Sequence, residues 1–228
     1  MYPVPQNPYS SRALGYETEG FLSRVYTWMA GGLAVTGLTA LAVSSSAEAV
    51  RLLFTTPLMW GLLIAQFVMV VAFAPLAARV SPAVAGAMFL AYSALTGATL
   101  SSIFLVYTAT SIAATFFVTA GAFAAMSAYG ALTKRSLASW GAFLFMGLVG
   151  IILASIVNIF LASAAVQWIA SMAGVVVFTG LAAYDTQRIK EVGDEAGPNA
   201  AVQGALTLYL DFINLFLMLL RLFGGRRD

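Results

Sequence analysis

The stretch LYLDFINLF, residues 208–216, decides how this chain is read. It lies inside an apolar run from Ala200 to Phe223, yet a carboxylate, Asp211, stands near its middle. At the centre of a membrane helix an Asp costs about 2.5–3.5 kcal/mol on insertion scales. Such a group faces protein or water rather than lipid, so its partners must be sought elsewhere in the chain.

Composition makes the run a membrane helix. The 228 residues are 61% hydrophobic and only 9% charged, with mean hydropathy +0.91. Soluble domains carry about a quarter charged residues. This chain cannot cover a compact surface with polar groups, so the lipid bilayer is its solvent and its fold class is an all-α integral membrane protein. The net charge of +2 is too small and scattered for nucleic acid. With no Cys there is no disulfide or thiolate metal site, and with no His there is no Ser-His-Asp, Cys-His or HExxH chemistry. No cofactor and no catalytic residues are expected. Carboxylates, hydroxyls, amides and backbone carry whatever function exists.

A spanning helix needs about 20 mainly apolar residues. Between charges and turn residues seven spans are predicted, near 25–43, 53–74, 83–107, 112–132, 140–161, 166–185 and 200–223. Two domains follow: a polar, Pro-rich, flexible arm at 1–20 and a seven-helix transmembrane domain at 21–225. Pro57 and Pro82 fall near helix starts, where a missing N–H is harmless. Trp28, Trp60, Trp140 and Trp168 fall near span ends, as interfacial aromatics do. Ser93, Gly97 and Ser101 recur every fourth residue and predict a close-packing helix face.

Basic residues set the orientation. With the N-terminus cytoplasmic, the inner loops hold Arg12, Arg24, Arg79, Lys134, Arg135, Arg188 and Lys190, and the outer loops hold Arg51 alone. The tail residues Arg221, Arg226 and Arg227 then fall outside, a discordance that a re-entrant last helix would remove. The tripeptide AEA at 47–49 resembles a signal-peptidase site, but the arm and apolar run before it are long for a signal peptide.

Seven of the nine acids, Glu17, Glu19, Glu48, Glu191, Asp194, Glu195 and Asp228, read as solvated charge. Asp185 and Asp211 do not. Gln203, Thr207, Asp211 and Asn214 are spaced four, four and three apart, one stripe on one helix face. A polar stripe on a greasy helix faces the bundle interior or a water-filled cavity, which predicts a central seventh helix. Asp185 ends the sixth span several ångströms shallower than Asp211, a gap that a helical extension through Gln187–Lys190 or a tilt would close. Two carboxylates a few ångströms apart in a low dielectric do not both ionise cheaply, so a facing pair holds a shared proton and loses it as pH rises. The pair is the candidate pH sensor and gate, and the candidate cation site. Calcium takes six to eight oxygens, so Asn214, Thr207, carbonyls and water would complete its shell. Gln203, Thr207, Asn214 and Tyr184 are the candidate pore-lining support. Arg79 and Arg188 are candidate latches, and a plain structural pairing of either aspartate with a basic group is the competing expectation.

The segments FTGLAAYDTQRIKE (178–191) and ALTLYLDFINLFLMLLRLFG (205–224) resemble the signature of the Bax inhibitor family, in a bacterial form. RVYTWMAGGLAVTGLTA (24–40) is similar to the first helix of those bacterial members, so the resemblance spans the membrane region. It implies a seven-helix bundle with the last helix central, in the bacterial inner membrane. It also implies a pH-sensitive calcium leak controlled by aspartates that match Asp185 and Asp211. Bacterial relatives are linked to a membrane-bound AAA protease, so a protease-binding regulator is the alternative. The tail GGRRD lacks the longer basic tail of animal members. A third reading, an intramembrane aspartyl protease, also places Tyr-Asp and Asp on successive helices. Those enzymes carry Gly-x-Gly before the second Asp, whereas Leu208, Tyr209 and Leu210 stand here, with no Pro-Ala-Leu following.

Overall fold

The computed structural model describes residues 8–193 and 197–227, with side chains from Gly20 onward. Residues 1–7 of the arm lie outside it, as do the side chains of Arg12, Glu17, Glu19, Asp194, Glu195 and Asp228. The described chain is helical: α1 (Pro8–Ser44), α2 (Ala47–Thr55), α3 (Leu58–Ala77), α4 (Pro82–Leu100), α5 (Ile103–Val106), α6 (Ala109–Leu132), α7 (Ala138–Leu161), α8 (Ala164–Val192) and α9 (Ala200–Phe223). Among the described residues seven segments are long and apolar enough to cross a membrane: Gly20–Ser44, Pro82–Val106 (α4 with α5), and α3, α6, α7, α8 and α9.

The boundaries follow local chemistry. Pro57 caps α3 and Pro82 opens α4. The second span starts later than the hydropathy suggests, because Thr56 and Pro57 break the run and leave α2 as a separate short helix. The side chains of Ser46, Thr108 and Ser163 accept backbone N–H groups at the starts of α2, α6 and α8. The α7–α8 turn is tight because Ala162 adopts a left-handed φ of 48° and the Asn158 side chain accepts the Ser163 N–H at 3.0 Å. The helix α1 takes in residues 8–20 of the stretch read as an arm.

Burial separates α9 from its neighbours. In its most apolar stretch 61% of residues are buried, against 6–33% in the other six spans. It packs on α1, α3, α4, α6 and α8. Phe212 meets Phe116 and Phe123 of α6 edge-on, and Tyr209 meets Phe89 and Tyr92 of α4 likewise. On α4 the face Ser93–Gly97–Ser101 is buried against α1, where a methyl group on Gly97 would lie 2.5 Å from the Thr36 carbonyl oxygen. Trp60, Trp140 and Trp168 are exposed, while Trp28 packs edge-on against Phe89 and over Gly86.

A re-entrant last helix is excluded by the way the chain closes. The helix α9 runs unbroken for 24 residues, and the segment after it pairs with the α5–α6 link. Thr108 N–H donates to Gly225 O at 3.0 Å, Arg227 N–H to Val106 O at 2.9 Å, and Gly225 N–H to Ser111 Oγ at 2.8 Å. Arg226 and Arg227 therefore lie at the opposite end of the bundle from the α8–α9 connection.

Candidate functional site

The sixth spanning helix outruns its apolar segment. Instead of ending at Asp185, α8 continues to Val192, so the extension, one of the two ways of bringing the aspartates level, is present. Asp185 thus lies about two turns inside the helix, roughly 10 Å from its end. There its carboxyl group comes within hydrogen-bonding range of the Asp211 carboxyl group. Asp211 is 6% exposed, and among the described residues no N–H or O–H donor reaches its Oδ2. The neighbour of this carboxyl group is another carboxyl. Two such groups attract only if a proton lies between them.

Arg188 stands one turn beyond Asp185 on the same helix and exerts a favourable electrostatic pull on it. Arg79 is exposed in the turn after α3, and it lines none of the cavities around the aspartates. Of the two candidate latches only Arg188 is beside the pair.

Three cavities run in series along one face of α9. The first, about 260 Å³, is lined by Gln203, Thr207, Asp185 and Arg188. The second, about 710 Å³, holds both aspartates with Tyr184, Thr207 and Asn214. A third, about 590 Å³, continues from Asn214 to Arg221 with Asn158 and Gln167. Thr207, Asp185 and Arg188 are shared by the first two, and Asn214 and Phe178 by the last two. The whole stripe Gln203–Thr207–Asp211–Asn214 thus faces cavity.

The neutral oxygens beside the pair come from Thr207 and Asn214. Thr207 and Asn214 donate to their own helix, to Gln203 O at 3.3 Å and Leu210 O at 2.8 Å, which leaves their oxygens as acceptors on the cavity side. Among the described residues no group of three or more acidic, His or Cys side chains gathers to hold a metal tightly.

Several residues that shape the site were not picked out from the sequence. Gly141 lets α7 pass over Tyr184, whose hydroxyl would lie 2.6 Å from a methyl group there. Gly130 lets α6 press on the backbone of Ala183, two residues before Asp185. Gln187 accepts from Leu137 N–H at 2.7 Å and donates to Arg135 O at 2.9 Å, which ties α8 to the α6–α7 loop. Asn199 donates from its amide to Ala77 O at 2.6 Å and Val80 O at 2.9 Å, holding the end of α3 to the start of α9. A polar residue in an amphiphilic loop gives no signal of this kind, since its partners are more than a hundred residues away.

Seven spanning helices with a carboxyl pair in the interior define a multi-pass membrane protein. The chain belongs to the Bax inhibitor-1 family: residues 18–228 match the family described as "Inhibitor of apoptosis-promoting Bax1". It is 51% identical to the inner membrane protein YbhL of Escherichia coli over 91% of this chain and 92% of that one. A protein of Caulobacter vibrioides is 45% identical over 91% of this chain and 89% of its own. A protein of Borreliella burgdorferi is 44% identical over 91% and 93%.

Proposed function

We propose that the protein is a pH-sensitive cation leak channel of the bacterial inner membrane, with calcium as the permeant ion and Asp185 and Asp211 as the gate. The observation that carries this reading is the contact between the two carboxyl groups inside a cavity that continues along α9. While the pair holds its proton, the carboxyls bind each other and the path carries no fixed charge at its middle. When the proton leaves, the pair is a dianion that repels itself and attracts a cation. Gln203, Thr207, Asn214 and Tyr184 line the route on either side. The N-terminus is cytoplasmic in this proposal, and the chain transports rather than catalyses.

The test is calcium flux into liposomes at a series of pH values, with Asp185→Asn and Asp211→Asn beside the unaltered protein. Flux with a pH profile that each substitution flattens is expected. A profile unchanged in both variants removes the aspartates from the gate, and no flux at any pH removes the channel.

A further inference from the structure

The helices α1 and α6 both pack on the rest of the bundle, but they leave a cleft of about 460 Å³ between them. Its walls are Met29 and Leu33 of α1 and Phe123, Ala124, Ser127 and Ala128 of α6. Phe123 of this wall meets Phe212 of α9 edge-on, and neither aspartate lines the cleft. Small residues alone would say only that the wall is shallow. Ser127 says more: it is 4% exposed, it lines the cleft, and among the described residues its hydroxyl has no hydrogen-bond partner. A buried hydroxyl without a partner costs about 1–3 kcal/mol, which an occupant offering an acceptor oxygen would recover.

Charge at the mouth identifies that occupant. Lys190 reaches across from α8 and donates to Ala131 O at 2.6 Å, and Ala131 lines the cleft. One N–H of its ammonium is used there, leaving two to face outward. Lys134 follows two residues after the end of α6 and is exposed. Ser127 lies five residues before that helix end, roughly 7 Å deeper. Phosphate, ester carbonyl and acyl chain of a glycerophospholipid follow one another at about this spacing along a bilayer normal.

We infer that the α1–α6 cleft is a binding site for an anionic glycerophospholipid. The acyl chain lies against Ala124 and Ala128, an ester carbonyl accepts from Ser127, and the phosphate lies at Lys190 and Lys134. Two lysines near the headgroup favour an anionic lipid over a zwitterionic one, because each basic residue near an anionic surface contributes about 1 kcal/mol.

The test is native mass spectrometry of the full chain in non-ionic detergent, titrated with phosphatidylglycerol or phosphatidylethanolamine. One phosphatidylglycerol is expected to be retained, roughly tenfold more tightly than phosphatidylethanolamine. Ala124 and Ala128 are exposed in the cleft, so larger side chains there displace no packed neighbour. Ala124→Phe, or Ala128→Leu should the first fail to fold, is expected to abolish retention at unchanged Tm. Lys190→Gln is expected to weaken it about fivefold. Equal retention of both lipids, or unaltered retention in a folded cleft variant, overturns the proposal. So does displacement of the lipid by soluble glycerol 3-phosphate, which would make the site one for free phosphate.

Discussion

Thr36 of α1 and Tyr209 of α9 bring their hydroxyl oxygens to 2.6 Å inside the bundle. Thr36 spends its only proton on the Ser93 carbonyl oxygen of α4, at 2.9 Å. Tyr209 is therefore the donor of the pair, and one threonine joins three spanning helices. Tyr209→Phe removes a donor and leaves Thr36 bonded to Ser93, a loss of about 1 kcal/mol. Thr36→Val takes away the Tyr209 hydroxyl's closest acceptor and one of the two bonds to the Ser93 carbonyl oxygen, which keeps its partner within α4, with an expected cost of about 1–2 kcal/mol. The double variant should cost less than the sum. Thermal unfolding of the four proteins in one detergent measures all three values.

Asn199→Ala removes both donors that hold the Ala77 and Val80 carbonyls. The side chain is 4% exposed, so water does not replace it freely. A loss of about 1–3 kcal/mol is expected. Hydrogen exchange should rise at the end of α3 and the start of α4, and little elsewhere.

Two glycines of α6 give opposite expectations. Gly130→Ala drives a methyl group into the Ala183 backbone, and the separation of α6 from α8 should cost about 1–3 kcal/mol. Gly121→Ala meets nothing within 4 Å, so the gain in helix propensity, about 0.5–1 kcal/mol, should show as a higher Tm. Because Ala183 is two residues from Asp185, Gly130→Ala should also alter the pH profile of calcium flux, and Gly121→Ala should leave it in place.

In the proposed channel calcium and a proton shared by Asp185 and Asp211 compete for the same oxygens. Raising pH removes the proton and leaves the cation site charged, so apparent calcium affinity should increase with pH. Calcium added to lightly buffered protein should release protons, and Asp211→Asn should release none. Parallel titrations with a pH electrode and a calcium indicator read both quantities.

The helices and the polar stripe were legible in the sequence because each is a short-range pattern. Asp211 and its stripe repeat at helical spacing within one run, and α9 matches the expected 200–223. The α8 extension was legible only as one of two options beside a tilt, since Thr186–Val192 mixes charge with apolar residues as a solvated helix end does. Cavity order was not legible. It depends on which walls α7, α8 and α3 supply, and Gly141, Phe178 and Val70 look like ordinary apolar span residues. Asn199 and the tail pairing were hidden for a related reason: their partners, Ala77, Val80 and Val106, are backbone carbonyls with no residue signature.

The burial of α9 also bears on how the protein is made. Chains emerge N-terminal first, so six spans enter the membrane before their most enclosed companion has been synthesised. Until it arrives, Phe89, Phe116, Phe123 and Asp185 line an open furrow in lipid, and the carboxylate there has no mate. Biogenesis thus ends with the insertion of a helix into a waiting slot, and a factor that shields that furrow would act on a six-helix nascent chain.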